Sequence, residues 1–418
     1  MSLLLAPLLA QVVTLGVADR SEARYLAPYA YKYEASTAPG LRLNLRWPRY
    51  EAVLGYDASL IVAPLEQKPR DLLVYHTLLF STSYRFRRSA ISLSSTGSFG
   101  EVNFRAQALG AAAPTEPGST PGTPSDQGSQ PDLVRPPEPT APEAQPQTRI
   151  RDEPTRHGSW STTLGAGHRP TREVTLAASV TYTMAGGLDD RAREDYPLTR
   201  GWVAAIFGTY EYKLSARDAL GTNVTLQQGW STRDAQGAES TEVTSLLAGE
   251  TWTHRYSKRT SSQLGAGISF TRTPLYEVYT AWSIYPTFTA AVLHEAHLAK
   301  GLLTLSLSAF SAPELDPLRA TVDPRIGAAG AVGWSRDRFS TSLTASTALS
   351  IADADNNPGA FDQRQAALVA GYRLTDWMLV DAGGRLTELN YQGTTTIPLT
   401  YAAFVGLTLD YEVPLSGH

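Results

Sequence analysis

Hydrophobic and polar residues alternate strictly near the end of the chain. In residues 397–411, one set of alternate positions is apolar: Leu399, Tyr401, Ala403, Val405, Leu407, Leu409 and Tyr411. The intervening positions are mostly small or polar, as at Thr400, Gly406, Thr408 and Asp410. A period of two over about thirteen residues predicts a β-strand longer than most strands of globular proteins.

The same pattern recurs along most of the chain as hairpins. Alternating segments are joined in pairs by tight polar turns, and a longer connection follows each pair. With a first strand at residues 24–34, the alternation predicts about eighteen strands. The others are predicted at residues 41–47, 51–62, 71–86, 90–104, 159–168, 174–184, 201–214, 220–230, 241–256, 262–272, 278–292, 302–310, 325–336, 339–351, 363–374, 378–390 and 397–411.

The connections between these segments alternate in length. Short ones have about two to six residues, whereas residues 187–199, 313–324 and 352–362 are predicted to be long loops. Short turns at one rim and long loops at the other are typical of outer-membrane barrels. The pattern therefore predicts an all-β fold, a closed antiparallel transmembrane β-barrel of about eighteen strands with short periplasmic turns and long extracellular loops. An even strand number places both termini in the periplasm.

The polar face of the strands agrees with a barrel. It consists mainly of Ser, Thr and Gly, whereas the solvent face of a soluble sandwich usually carries Lys and Glu. Small uncharged side chains suit a concave inner wall, so the apolar face is expected to meet lipid. Aromatic residues near strand ends are expected at the headgroup boundaries. These are Trp47, Trp160, Trp202, Trp230, Trp282, Trp334 and Tyr411.

Charged residues on the polar face are candidates for lining a pore. They are Arg42, Arg46, Asp57, Arg85, Glu211, Lys213, Glu250, Asp381, Arg385 and Asp410. Both signs occur, so these residues do not predict a single-sign ring that would select sharply for cations or anions. Mutual salt bridges that stiffen the barrel are the alternative interpretation.

Composition narrows the function classes further. Charged residues make up 18% of the 418 residues, cysteine is absent and the net charge is −4. Disulfides and thiolate metal sites are therefore excluded, and the chain has no basic footprint for nucleic acid. After the first twenty residues, no run of about 18 apolar residues predicts a transmembrane helix.

The N-terminal residues are expected to direct export. Residues 1–18 have an apolar core followed by small residues, which permits cleavage after Ala10 or Ala18, although the positively charged start of a secretory signal is absent. An apolar N-terminus without a signal function is the alternative. We expect residues 24–109 to form strands 1–5 and residues 158–413 to form strands 6–18.

A proline-rich interruption separates these two groups of strands. Residues 110–150 contain ten prolines among Gly, Ser, Thr, Glu and Gln. Such a tract buries too little apolar surface to offset its ordering entropy, which predicts a disordered extracellular loop over residues 110–157. The loop either gates the pore and contacts polymer or cell surface, or is a tolerated insertion without a specific role.

Enzymatic signatures are weak. His294 and His297 have the wrong spacing for a helical zinc motif and would point to opposite faces of a strand. Glu250 and His254 share a face, but no serine nucleophile accompanies them. A Gly-x-Ser-x-Gly elbow, a P-loop and a dinucleotide fingerprint are all absent from the sequence. We therefore expect no catalytic, cofactor-binding or metal-binding residues, and no enzyme.

The most specific motif lies at the end of the chain. Gly406, Leu409 and Tyr411 form a Gly-x-x-Leu-x-Tyr sequence that resembles the C-terminal signal read by the barrel-assembly machinery, although residues 412–418 follow the aromatic position. Except for its N-terminus and proline-rich tract, the chain resembles the outer-membrane β-barrels of Gram-negative bacteria.

A count of about eighteen strands is similar to that of sugar-specific porins and of the integral barrels of myxobacterial polysaccharide-secretion pathways. The resemblance implies a channel in the outer membrane, in contact with its lipid and assembled by the barrel-assembly machinery. For the secretion barrels it also implies a periplasmic polysaccharide-export protein as partner. Polysaccharide export is our leading hypothesis, with a general diffusion porin and a surface adhesin or scaffold as alternatives.

Overall fold

The protein folds into eighteen β-strands. The structure, a computed structural model, describes residues 12–27, 33–62, 72–102, 155–188, 200–232, 241–275, 279–316, 321–351, 361–391 and 397–414. The strands are β1 (Val12–Ala27), β2 (Tyr33–Arg46), β3 (Tyr50–Val62), β4 (Leu72–Arg85), β5 (Ser89–Val102), β6 (Thr155–His168), β7 (Val174–Gly187), β8 (Arg200–Lys213), β9 (Asp218–Thr232), β10 (Thr241–Arg255), β11 (Thr260–Leu275), β12 (Tyr279–Leu298), β13 (Gly301–Asp316), β14 (Thr321–Arg336), β15 (Phe339–Ser350), β16 (Phe361–Thr375), β17 (Met378–Tyr391) and β18 (Ile397–Pro414).

The strands form one closed antiparallel sheet. Each strand pairs with its neighbours in sequence, and β1 pairs with both β2 and β18. The closing ladder is long, extending from Thr14 opposite Pro414 to Ala27 opposite Tyr401. A closed ladder leaves no strand edge unpaired, which is what backbone polar groups require in hydrocarbon. The predicted barrel and strand number are confirmed.

The two rims of the barrel differ. At one rim, which we call the short-turn rim, the described turns are residues 47–49, 86–88, 169–173, 214–217, 256–259, 299–300, 337–338 and 376–377. The tightest turns include Ala299 and Lys300, whose φ angles of 51° and 64° suit a two-residue type I′ hairpin. β1 begins and β18 ends at this rim, which we assign to the periplasm from its short turns. The opposite rim is called the loop rim.

The two faces of the sheet differ as predicted. Large apolar side chains are exposed on one face, for example Ile206 (53%), Ile284 (59%) and Val405 (58%), and we call this the outer face. Aromatic residues lie on it near both rims, with Trp160 and Trp282 towards the loop rim and Trp377 and Tyr411 towards the short-turn rim. An apolar band flanked by aromatic residues suits a bilayer. The described residues contain no helix with the length and hydropathy to cross a membrane.

The beginning of the barrel differs from the prediction. The predicted first strand at residues 24–34 spans the end of β1 and the start of β2, and the true first strand begins at Val12. The proposed signal peptide at residues 1–18 therefore overlaps β1. Cleavage after Ala18 would remove residues 12–18, which pair with both β2 and β18, whereas cleavage after Ala10 would leave β1 intact.

Two predicted loops also need correction. Residues 313–324 are not a long loop, because β13 continues to Asp316 and β14 starts at Thr321, with Pro313 opposite Pro324 in the ladder. The loop predicted at residues 110–157 ends earlier, since β6 starts at Thr155 and pairs with β5. The proline-rich tract itself, residues 110–150, lies outside the described residues.

Candidate functional site

Nine of the ten charged residues predicted to line a pore lie on the inner face. Alternation along each strand decides this, since every one of the nine is offset by an odd number of residues from the exposed apolar side chains of its own strand. They are Arg42, Arg46, Asp57, Arg85, Glu211, Lys213, Asp381, Arg385 and Asp410. Their position is thus compatible with a lumen lining, and their role in passage belongs to the proposal below.

Glu250 is the exception, because it lies on the outer face. It shares that face with Leu246 and Trp252 in β10, which are exposed. Its carboxylate accepts hydrogen bonds of 2.8 and 3.0 Å from the hydroxyl of Thr222 on the neighbouring strand. Assigning it to the lumen was wrong because the alternation of β10 is imperfect: Val243 and Leu247 are apolar yet lie on the inner face.

The structure also separates Glu250 from His254, so the two do not form an acid–base pair. His254 Nδ1 lies 2.7 Å from a carboxylate oxygen of Asp218, at the start of β9. The indole of Trp252 donates to the same oxygen at 3.3 Å. This group lies on the outer face at the short-turn rim and is a structural cluster in the aromatic band. His294, which contacts Thr260, and His297 alternate on β12 and face opposite sides, as expected.

Charged residues connect the strands where the barrel closes. In β1, Glu22 contacts Arg24 and lies 3.3 Å from Arg20. Arg20 also lies 3.6 Å from Asp381 in β17, so this ion pair reaches across β18. Arg385, four residues beyond Asp381, lies on the same inner face. We call Arg20, Glu22, Arg24, Asp381 and Arg385 the seam cluster.

Gly406 makes the seam cluster possible. It lies between Glu22 of β1 and Asp381 of β17 in a row across three strands. A Cβ on Gly406 would lie 2.8 Å from an Asp381 carboxylate oxygen, which is closer than real Cβ contacts allow. The glycine therefore gives the carboxylate room to lie over β18. Sequence reasoning missed Arg20, Glu22 and Arg24, although the alternation of charges in Arg20-x-Glu22-x-Arg24 could have revealed a strand.

The inner face is open near one rim and packed near the other. Towards the loop rim, Val243, Ser269 and Thr271 are at most 1% exposed. Arg325 and Asp323 are also buried there and form a 2.8 Å ion pair. Towards the short-turn rim, Arg42, Arg46, Glu211 and Lys213 are exposed. Among the described residues, these inner-face side chains are thus more exposed towards the short-turn rim than towards the loop rim.

A cavity of about 300 Å³ lies in the inner wall of the open half. It extends over six consecutive strands, from Glu51 and Val53 of β3 to Phe207 of β8. Most of its lining side chains are small, with hydroxyl groups from Ser81, Ser83, Ser92, Ser94, Thr163 and Ser179. A hydroxyl-lined concave wall with one aromatic ring can hydrogen-bond a polyhydroxylated solute and pack against its apolar face.

Solved structures with the same architecture come from outer-membrane barrels. The FrpB iron transporter from Neisseria meningitidis is similar at 11% identity with a TM-score of 0.52, over 93% of this chain and 63% of that one. The chain therefore spans less than two thirds of the length of FrpB, and the likeness concerns the fold alone. The outer membrane protein OpdK from Pseudomonas aeruginosa matches over 96% of this chain and 99% of its own, at 9% identity and a TM-score of 0.46.

Comparison with protein families is more specific. No curated protein sequence matches the chain. In contrast, residues 35–412 match a family of exopolysaccharide export proteins, and this match includes β3 to β17 completely and most of β2 and β18. With its closed barrel and apolar outer face, the protein is a β-barrel of the Gram-negative outer membrane. The chain belongs to the EpsX exopolysaccharide export family.

Proposed function

We propose that this barrel is the outer-membrane conduit through which an exopolysaccharide leaves the cell. The observation that carries the proposal is the family match over residues 35–412. The polymer enters at the short-turn rim and leaves at the loop rim. Passage is passive, so no residue acts as a catalyst and no cofactor is required.

The inner wall supports this proposal. A passing sugar chain needs many weak, exchangeable hydrogen bonds, because a conduit must bind its cargo well enough to admit it and weakly enough to release it. Serine and threonine hydroxyls of the cavity wall, such as Ser81, Ser94 and Thr163, provide such groups. The nine predicted charged residues on the inner face, which have both signs, would orient water and polar solutes along the path.

The packed inner face near the loop rim argues against the alternative of a permanently open diffusion porin. Val243, Ser269 and Thr271 on the inner face are at most 1% exposed, which favours a lumen that is packed at this level over a standing water-filled pore. We infer that the conduit opens only with its cargo or with a partner. A periplasmic export protein docked at the short-turn rim would be such a partner, and its presence is part of the proposal.

A deletion strain tests this function. Loss of the chain should abolish cell-surface exopolysaccharide and leave polymer or its precursors inside the envelope, and expression of the intact chain should restore secretion. Uptake of small hydrophilic antibiotics is the control measurement. Unchanged secretion together with reduced antibiotic uptake would refute export and favour a diffusion porin.

A further inference from the structure

The short-turn rim is strongly basic, although the whole chain is acidic. The eight described turns contain ten basic and three acidic residues, a net charge of +7, whereas the net charge of the chain is −4. The basic residues are Arg49, Arg87, Arg88, Arg169, Arg172, Arg217, Lys258, Arg259, Lys300 and Arg338. The acidic ones are Glu173, Asp337 and Asp376. A surface with one dominant sign concentrates counter-ions of the opposite sign.

The positive charge is concentrated on one side of the barrel. The five turns between β2 and β11 contain eight of the ten basic residues and only Glu173 among the acidic ones. Four strands of the same sector also end on a basic residue whose side chain belongs to the inner face: Arg46, Arg85, Lys213 and Arg255. We call these four residues and the eight basic turn residues of this sector the basic arc.

Contacts between turns order part of the basic arc. The guanidinium of Arg88 donates to the carbonyl oxygen of Pro170 in the next turn at 3.0 Å. Arg169 donates to the carbonyl oxygen of Arg172 at 2.8 Å. Arg85 is half-exposed and lies 3.9 Å from Glu51, at the limit of an ion pair. Of these cations, Arg85 and Arg88 are exposed at the mouth of the barrel and can bind an anion.

The hydroxyl-lined cavity lies directly beyond the basic arc. Ser83, a lining residue, is two positions from Arg85 along β4, which corresponds to about 7 Å. The cavity wall continues through β5, β6 and β7 to the ring of Phe207. An incoming chain would therefore meet guanidinium groups first, then hydroxyl groups and an aromatic ring. This order suits a ligand that carries both negative charge and sugar rings.

We propose that the basic arc and this cavity form a capture site for an anionic glycan, a sugar chain that carries carboxylate or phosphate groups. Arginine pairs well with both groups through its planar donor array. The inner-face position of Arg46, Arg85 and Lys213 favours a ligand in the lumen over lipid headgroups, which lie outside the barrel. The inference rests on the proposed export function and adds the charge of the cargo.

Binding of defined oligosaccharides to the purified full-length barrel tests the inference. Oligogalacturonate should bind about tenfold more tightly than a maltooligosaccharide of equal length at low salt, because the field of the rim attracts anions. The preference should shrink towards zero as the ionic strength approaches about 1 M, where screening acts over about 3 Å. Equal affinity for the two oligosaccharides at low salt would overturn the inference.

Variants locate the site. The triple substitution Arg46→Gln, Arg85→Gln and Lys213→Gln should greatly reduce the preference for oligogalacturonate, because these three cations of the basic arc face the lumen. The control, Arg336→Gln with Arg364→Gln, changes two exposed arginines of the outer face and should preserve it. Phe207→Ala should weaken binding of both oligosaccharides by a similar factor, because its ring contacts sugar rather than charge. If the outer-face control loses the preference for oligogalacturonate to the same extent as the triple variant, a lumenal site is contradicted.

Lipid binding is the competing explanation and has its own outcome. If the triple variant keeps its preference for oligogalacturonate but binds vesicles containing phosphatidylglycerol less well, the basic arc is a lipid contact and the inference fails. Failure of the export proposal is separately visible. If the deletion strain loses secretion but the purified barrel shows no preference for the anionic oligosaccharide, the export proposal stands and only the anionic cargo is refuted.

Discussion

Gly406 illustrates how one residue of the closing strand determines an arrangement on the inner face. Replacing Gly406 with Ala would force a Cβ against the buried carboxylate of Asp381. We expect the free energy of unfolding to fall by about 1–3 kcal/mol, as for other overpacked sites. Urea titration of the refolded barrel measures this change. Gly16→Ala is the matched control, because Gly16 also lies on the inner face and the nearest atom to its Cβ position is at an ordinary contact distance of 3.5 Å.

A double variant separates this steric role from the predicted role of Gly406 in the assembly signal. In an Asp381→Ala background, Gly406→Ala should cost little stability if the carboxylate is what the Cβ displaces. A defect that appears only in cells, with unchanged stability of the refolded protein, would instead support recognition by the assembly machinery. If Gly406→Ala lowers the free energy of unfolding equally in the wild-type and the Asp381→Ala backgrounds, the steric account is refuted.

Glu250 tests the assignment of the two faces. As a carboxylate on the lipid face, it should be less favourable than an apolar residue at the same position. Glu250→Leu is therefore expected to raise the free energy of unfolding in lipid vesicles by about 1 kcal/mol. Glu211→Leu on the inner face is the control and should give no gain. A loss of stability in Glu250→Leu alone would place Glu250 in the lumen after all.

At the scale of elements, β1 shows that the strand boundaries depend on pairing. Its residues 12–18 lie opposite residues 40–46 of β2 and the last residues of β18. A chain that starts at Asp19 would leave the ends of β2 and β18 unpaired on the edge that faces β1, whereas a chain that starts at Gln11 keeps both ladders. We expect only the longer one to refold in detergent and to show heat-modifiable migration on gels.

Sequencing of the mature N-terminus provides the second measurement. A mature protein that begins at Gln11 agrees with the structure and with export by cleavage after Ala10. A mature protein that begins at Asp19 would contradict β1, since a closed barrel cannot leave the ends of its neighbours exposed in lipid.

At the scale of the whole molecule, we expect the proline-rich tract, residues 110–150, to be separable from the barrel. The described ladder between β5 and β6 runs from Ser89 opposite His168 to Val102 opposite Thr155. Deletion of the proline-rich tract should preserve heat-modifiable migration and change the free energy of unfolding little, because the entropy of loop closure depends only logarithmically on loop length. Loss of the folded form would refute this separation.

Conductance of the same deletion variant tests the channel. If the tract gates the pore, planar-bilayer conductance should rise after the deletion, and if it is a tolerated insertion, conductance should stay at the level of the full-length barrel. A barrel that shows no conductance with or without the tract, and none when oligosaccharide is added, would contradict a channel.

The sequence by itself determined the barrel and most of its strands. Alternation with period two is a local property, so it is visible in β7 or β18 without any knowledge of their partners. The basic turn residues, from Arg49 to Arg338, were equally visible, but their summed charge became meaningful only when the structure placed them on one rim. Sequence reasoning considered the charges on strand faces and overlooked those between strands.

Tertiary structure decided what depends on contacts between distant parts of the chain. The start of β1 follows from its two ladders, because the apolar set of alternate positions in β1 is interrupted by the polar residues Asp19 and Ser21. The face of Glu250 follows from the register of β10 with β9. The seam cluster, the hydroxyl-lined cavity and the packed inner face near the loop rim exist only when the sheet closes. Closure brings β18 beside β1, and no local pattern contains that pairing.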